Sequence, residues 1–148
     1  MIKVSVFERE SEGLRLALAR IASRPDVVFG SFDSPDVLIV SPESDDIPAA
    51  QCGSLLIPGN TAIRLPTTNN VVTYGFSPRD TLSLSSIGAR TSMLELRREI
   101  VNALGEVVEI GEFAVAGGEP TRRLAVSGAL LLLGISPETP TIGGDAAG

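Results

Sequence analysis

Residues 36–40 read DVLIV, with Pro35 directly before them and Pro42 just after. A strand with one face in water alternates apolar and polar side chains, because successive Cβ atoms point to opposite sides of a sheet. Val37 to Val40 does not alternate. An unbroken apolar run of this length, closed off by prolines, is the pattern of a strand covered on both faces, and such strands belong to parallel sheets. Upstream, Ile2 to Phe7 reads as a strand. Ser11 then offers an N-cap for a helix running to about Ser23, with Leu14, Ala17, Leu18 and Ile21 on one face, and Val27 to Phe29 makes a second short strand. Downstream, SLLI at 54–57 and VVTY at 71–74 repeat the apolar texture, separated by stretches rich in Pro, Asn and Ser that read as loops.

Beyond Gly75 the strand-like stretches crowd together: TLSLSSI at 81–87, TSMLELRREI at 91–100 and EVVEIGEFAV at 106–115. Their closeness predicts an antiparallel section. The middle stretch fits two periods, since Leu94, Leu96 and Ile100 alternate while Met93, Leu96 and Ile100 also share a helical face; Gly105 between two β-rich runs favours a hairpin. A last helix is predicted from Pro120, suited to a first helical position, to Gly134, suited to the residue past the end. Its second half is apolar all round. The fold expected is therefore α/β: a mainly parallel sheet flanked by helices, with an antiparallel β extension and a buried C-terminal helix. Residues 1–136 are expected to form a single domain and 137–148 a Pro/Gly-rich C-terminal tail.

The chain of 148 residues has 43% apolar and 20% charged residues, which suffices for a core without disulfide or metal support. His and Trp are absent and Cys52 is the sole cysteine, so histidine-based triads, imidazole zinc sites and cysteine clusters are excluded. Twelve Lys plus Arg against 18 Asp plus Glu give a formal charge of −6, which repels nucleic acid and anionic lipid. The N-terminus lacks a signal-peptide core, and the longest greasy stretch, Leu124 to Ile135, is too short to span ~30 Å of hydrocarbon. A cytoplasmic protein with no nucleic-acid and no membrane partner is expected.

Candidate chemistry is sparse. The first β-α loop, FERESEG, has no P-loop or dinucleotide fingerprint and carries Glu8, Glu10 and Glu12 where a phosphate would sit. Glu43, Asp45 and Asp46 offer hard oxygen ligands but match no calcium-loop spacing. Ser85 and Ser86 have no base beside them, and Cys52 reads as a small buried hydrophobe. Gly59 with Asn60, and Gly117 with Gly118, read as turns with positive φ. Arg122 and Arg123 stand in the first turn of the last helix, against its dipole, so either a nearby acid neutralises them or they face an anion. Glu119, Thr121, Arg122 and Arg123 are thus the candidate ligand-binding residues.

From VVTYGFSPRD at 71–80 through TLSLSSI and EFAVAGG to TRRLAVSGALLLLGIS at 121–136, the chain resembles the later part of the central domain of the Mur ligases, ATP-dependent enzymes that add amino acids to peptidoglycan precursors. In that family a Gly-x-His-Asn stretch and a further Asn before the final helix contribute to the nucleotide site. Gly118, Glu119 and Arg122 stand at the His and the two Asn positions, and the P-loop is missing as well. The resemblance therefore implies a small P-loop-less relative with a binding or structural role and lends no catalytic residue; no metal and no cofactor are expected. A protein partner, a homo-oligomer or a small anionic ligand would be its target. The alternative is a small enzyme working with carboxylates and Arg, with or without Mg²⁺, on an anionic substrate. Calorimetric titration with MgATP is expected to show no binding; a dissociation constant in the micromolar range or tighter would contradict the reading of the first β-α loop.

Overall fold

The structure, a computed structural model, describes residues 1–8, 13–42, 51–61 and 65–138. Its elements in chain order are β1 (Ile2–Phe7), α1 (Leu14–Ile21), β2 (Val27–Phe29), β3 (Val37–Val40), β4 (Gln51–Pro58), β5 (Thr67–Tyr74), β6 (Leu82–Ser86), β7 (Thr91–Leu96), β8 (Ile100–Val101), β9 (Val107–Val108), β10 (Gly111–Ala116) and α2 (Pro120–Leu132). Eight strands form one sheet in the order β10-β7-β6-β5-β4-β3-β1-β2, and β8 with β9 makes a small separate hairpin. The sheet is parallel from β2 to β6; β7 alone runs against its neighbours β6 and β10. The α/β class with a mainly parallel sheet and a buried last helix is as the sequence reading expects.

Register explains the texture of each strand. Ile39 lies beside Leu56 and Leu56 beside Val72, while further along Tyr74 lies beside Leu82 and Leu82 beside Leu96. These side chains share one face, and they are buried in a single core cluster with Leu14 and Leu18 of α1 and the whole of α2 from Leu124 onward. On the opposite face only Leu38, Val40, Cys52, Leu55 and Ile57 form a second buried cluster. Among the described residues two-sided cover is thus confined to β3 and β4, which is why DVLIV and SLLI do not alternate. Val71, beside Leu55 on that second face, is already 42% exposed. The alternation in β6 and β7 follows from this one-sided burial, whichever way the strands run.

The sequence reading of the section beyond Gly75 needs correction at its first strand. β6 belongs to the parallel set, paired with β5 in register at Tyr74 and Leu82. The link from Gly75 to Thr81 is too short to return to the start of β5, since a full parallel crossover takes a dozen residues or more. β6 therefore begins level with the end of β5, and the sheet steps outward there. The ambiguous stretch 91–100 is strand to Leu96; Ile100 then opens the β8–β9 hairpin, with Gly105 at φ 82 in its turn.

α2 ends as its sequence predicts. Gly134 takes φ 75, its N–H donates to the Leu131 carbonyl at 3.1 Å, and Ile135 N–H donates to Leu130 at 2.8 Å, the paired bonds of a Schellman cap. α1 departs from expectation: it starts at Leu14, Ser11 lies outside the described residues, and Ile21, its last residue, is half exposed. Residues 139–148 of the expected tail also lie outside the described residues. No described helix is long and apolar enough to cross a membrane.

Residues 124–133 of α2 and its C-cap are buried on every side, and the helix approaches the sheet through Gly128. A Cβ placed there would come within 2.9 Å of both Leu56 Cδ1 and Leu82 Cδ1. A methyl could push those side-chain tips aside; a larger group could not. Gly128→Leu is expected to destabilise by at least about 1–3 kcal/mol, the usual range for overpacking a filled core. Urea denaturation measures it, and an unchanged midpoint would place α2 away from the sheet.

Candidate functional site

Both helix N-termini are closed by carboxylates of the chain itself. At α1, Gly13 occupies the N-cap with φ 67 and contributes no side chain. Glu8 reaches back instead: its Oε1 accepts from Leu14 N–H at 2.6 Å and its Oε2 from Arg15 N–H at 2.9 Å. These are the donors that would cradle a phosphate in a nucleotide-binding β-α loop. Glu8 holds that position; Glu10 and Glu12 lie outside the described residues. At α2, Glu119 is the N-cap, and its carboxylate accepts from Thr121 N–H at 3.1 Å and Arg122 N–H at 2.7 Å.

The other candidate residues of this helix start are dispersed. Arg122 donates to the Gly13 carbonyl at 3.3 Å, tying α2 to the start of α1. Arg123 is half buried; burial first, and the Arg122 guanidinium second, pull its pKa below the usual arginine value. Thr121 lines a cavity. Among the remaining sequence candidates, Glu43, Asp45 and Asp46 lie outside the described residues, and no group of three metal-ligating side chains occurs among those described. Ser85 and Ser86 are exposed at the end of β6. Cys52 is buried, which raises its thiol pKa, a hydrogen bond with Thr68 opposing this in part.

The cavity measures 610 Å³ and lies at the carboxyl ends of β3, β4 and β5, bounded by Pro42, Pro58, Gly59, Tyr74 and Gly75, with Thr121 of α2 opposite. Carboxyl ends of parallel strands are where open α/β sheets bind ligands. Its floor holds a residue that the sequence reading passed over. Asp80, only 4% exposed, ends the link between β5 and β6, and its Oδ2 accepts from Ser77 N–H at 3.0 Å. Oδ1 has no hydrogen-bond donor among the described residues, and no Lys or Arg nitrogen among them stands at ion-pair distance from this carboxylate. Arg97 donates to the main-chain carbonyls of Ser77 and Asp80 at 2.6 and 3.5 Å and pairs with Glu95 at 3.1 Å.

Space for this carboxylate is made by two glycines. A Cβ on Gly59 would collide with Asp80 Oδ1, and one on Gly75 would lie 2.6 Å from Oδ2. Gly59 is therefore not the positive-φ turn residue expected from its sequence; its φ is ordinary, and the room it leaves is taken by the acid. The available signal was the pair of glycines, each at the end of an apolar strand, followed by Ser-Pro-Arg-Asp. Tyr74, buried in the wall, donates its hydroxyl to the Val40 carbonyl at 2.7 Å and so fixes β5 against the end of β3.

A second surface feature lies at the β8–β9 hairpin, where Val101 and Val107 pair across the strands and are 48% and 59% exposed. Comparison with protein-family models, with curated proteins and with solved structures finds no match.

Proposed function

We propose that this protein is a cytoplasmic, non-catalytic binding domain that holds a small polar molecule in the cavity at the carboxyl edge of its parallel strands. One observation carries the reading: Asp80 is buried, is cleared by two glycines, lines the cavity, and keeps one carboxylate oxygen without a donor among the described residues. Leaving a buried acceptor unpaired costs about 1–3 kcal/mol, and more when the group is charged. A turn anchor needs only the oxygen that faces Ser77. A ligand donor would complete the other.

Catalysis is left out because the cavity's titratable groups among the described residues are Tyr74, Arg79 and Asp80, with the Tyr74 hydroxyl engaged by Val40. One carboxylate supplies no acid/base pair. The Mur ligase resemblance over residues 71–136 accords with a binding role, and that stretch supplies Tyr74, Gly75, Asp80 and Thr121 of the cavity lining. The anion reading of Glu119, Thr121, Arg122 and Arg123 is subordinate to this, because a bound anion would first have to displace the Glu119 carboxylate from the helix end.

Nuclear magnetic resonance screening with a library of small polar fragments tests the proposal. Fragments are expected to shift the amide signals of Gly59, Gly75 and Ser77, and Thr121→Phe, which fills the cavity from the helix side, is expected to abolish those shifts. Shifts confined to other surfaces, or unaffected by Thr121→Phe, would overturn it.

A further inference from the structure

The chemistry around Asp80 narrows the ligand further, on the footing that the cavity is the binding site. An unpaired carboxylate can be completed by a neutral hydroxyl, by a metal ion or by an organic cation. Burial distinguishes them. Asp80 is only 4% exposed, and no described guanidinium or ammonium stands within ion-pair distance of its carboxylate, although Arg97 donates to its main-chain carbonyl and Arg79 shares the cavity lining. A neutral donor returns one hydrogen bond without a direct ion pair; a cationic donor supplies both and makes a shorter, stronger bond.

A divalent metal fits the surroundings poorly. Calcium takes six to eight oxygen ligands and magnesium near-ideal octahedral geometry, both usually built on several carboxylates, whereas Asp80 is the only acid among the described residues that line this cavity. The rest of the lining suits a carbon-bearing cation: Pro42 and Pro58 are apolar, and Tyr74 and Phe76 are aromatic residues of the kind that attract ammonium groups. Phe76 is 52% exposed. Arg79, also in the lining and exposed, disfavours a second positive charge at the mouth. We infer that the cavity receives a small organic molecule with a single protonated amine, whose N–H groups bond to Asp80 Oδ1.

The test compares n-butylammonium with n-butanol, its neutral counterpart of similar shape, by amide chemical-shift titration of the full chain. Expected is a dissociation constant at least about tenfold lower for the amine, read at Gly59, Gly75 and Ser77, with the preference falling to about unity in Asp80→Asn. Equal affinity for both probes in the wild type would overturn the ammonium assignment and leave the cavity reading intact. Response of those amides to neither probe would overturn the ammonium assignment, while the fragment screen separately decides the cavity. Saturation of the same amides by Mg²⁺ at lower concentration than by the amine would overturn the assignment in favour of a metal. Should Asp80→Asn not fold, the wild-type discrimination between amine and alcohol decides alone.

Discussion

Contact of Gly128 with Leu56 and Leu82 sets the distance at which α2 lies on the sheet, and the remaining architecture depends on that distance. β4 and β6 carry the two leucines from either side of β5, so one helix residue bridges the step where the sheet moves outward. Ala125 and Ala129 continue the small-residue seat, and the leucines from Leu130 to Leu133 are buried beyond it. A helix this apolar has no stable exposed face, so hydrophobic burial rather than helix propensity holds it in place. Its first turn is thereby carried to the carboxyl ends of β3 to β5, where Thr121 meets the cavity.

Charge is distributed around that frame in two distinct ways. Glu8 and Glu119 each neutralise a helix N-terminus and satisfy two backbone donors apiece. A carboxylate in that position is stabilising, which makes these two acids structural and removes the usual phosphate sites of an α/β sheet from use. Asp80 differs in kind. It receives one donor where the helix caps receive two, and it is buried more deeply than a turn of this sort requires.

Much of the fold could be read from residue order because burial was written locally. DVLIV announced two-sided cover, and the Schellman end of α2 was signalled by Gly134. The direction of β6 was not legible. One-sided burial produces the same alternation in parallel and antiparallel strands, and only the shortness of the Gly75–Thr81 link hinted at the step. The candidate site was largely hidden for a related reason. Asp80 matters through Gly59, in the preceding strand's turn, and through Gly75, and such a cradle joins positions whose sequence neighbours say nothing of one another. Attention fell instead on Arg122 and Arg123, whose conflict with the helix dipole is visible in sequence. The structure resolves that conflict for the backbone with Glu119 and gives Arg122 the Gly13 carbonyl.

If Asp80 is kept for a ligand, it contributes little to the stability of the ligand-free fold. Asparagine in its place can still accept from Ser77 N–H while removing a buried charge that has no ion pair among the described residues. Equilibrium urea denaturation of wild type and Asp80→Asn, both without ligand, measures this directly. The predicted result is a stability equal to or above wild type, or lower by less than about 1 kcal/mol, whereas a loss of roughly 3–5 kcal/mol, as on breaking a buried ion pair, would show that Asp80 is a structural charge and contradict the site.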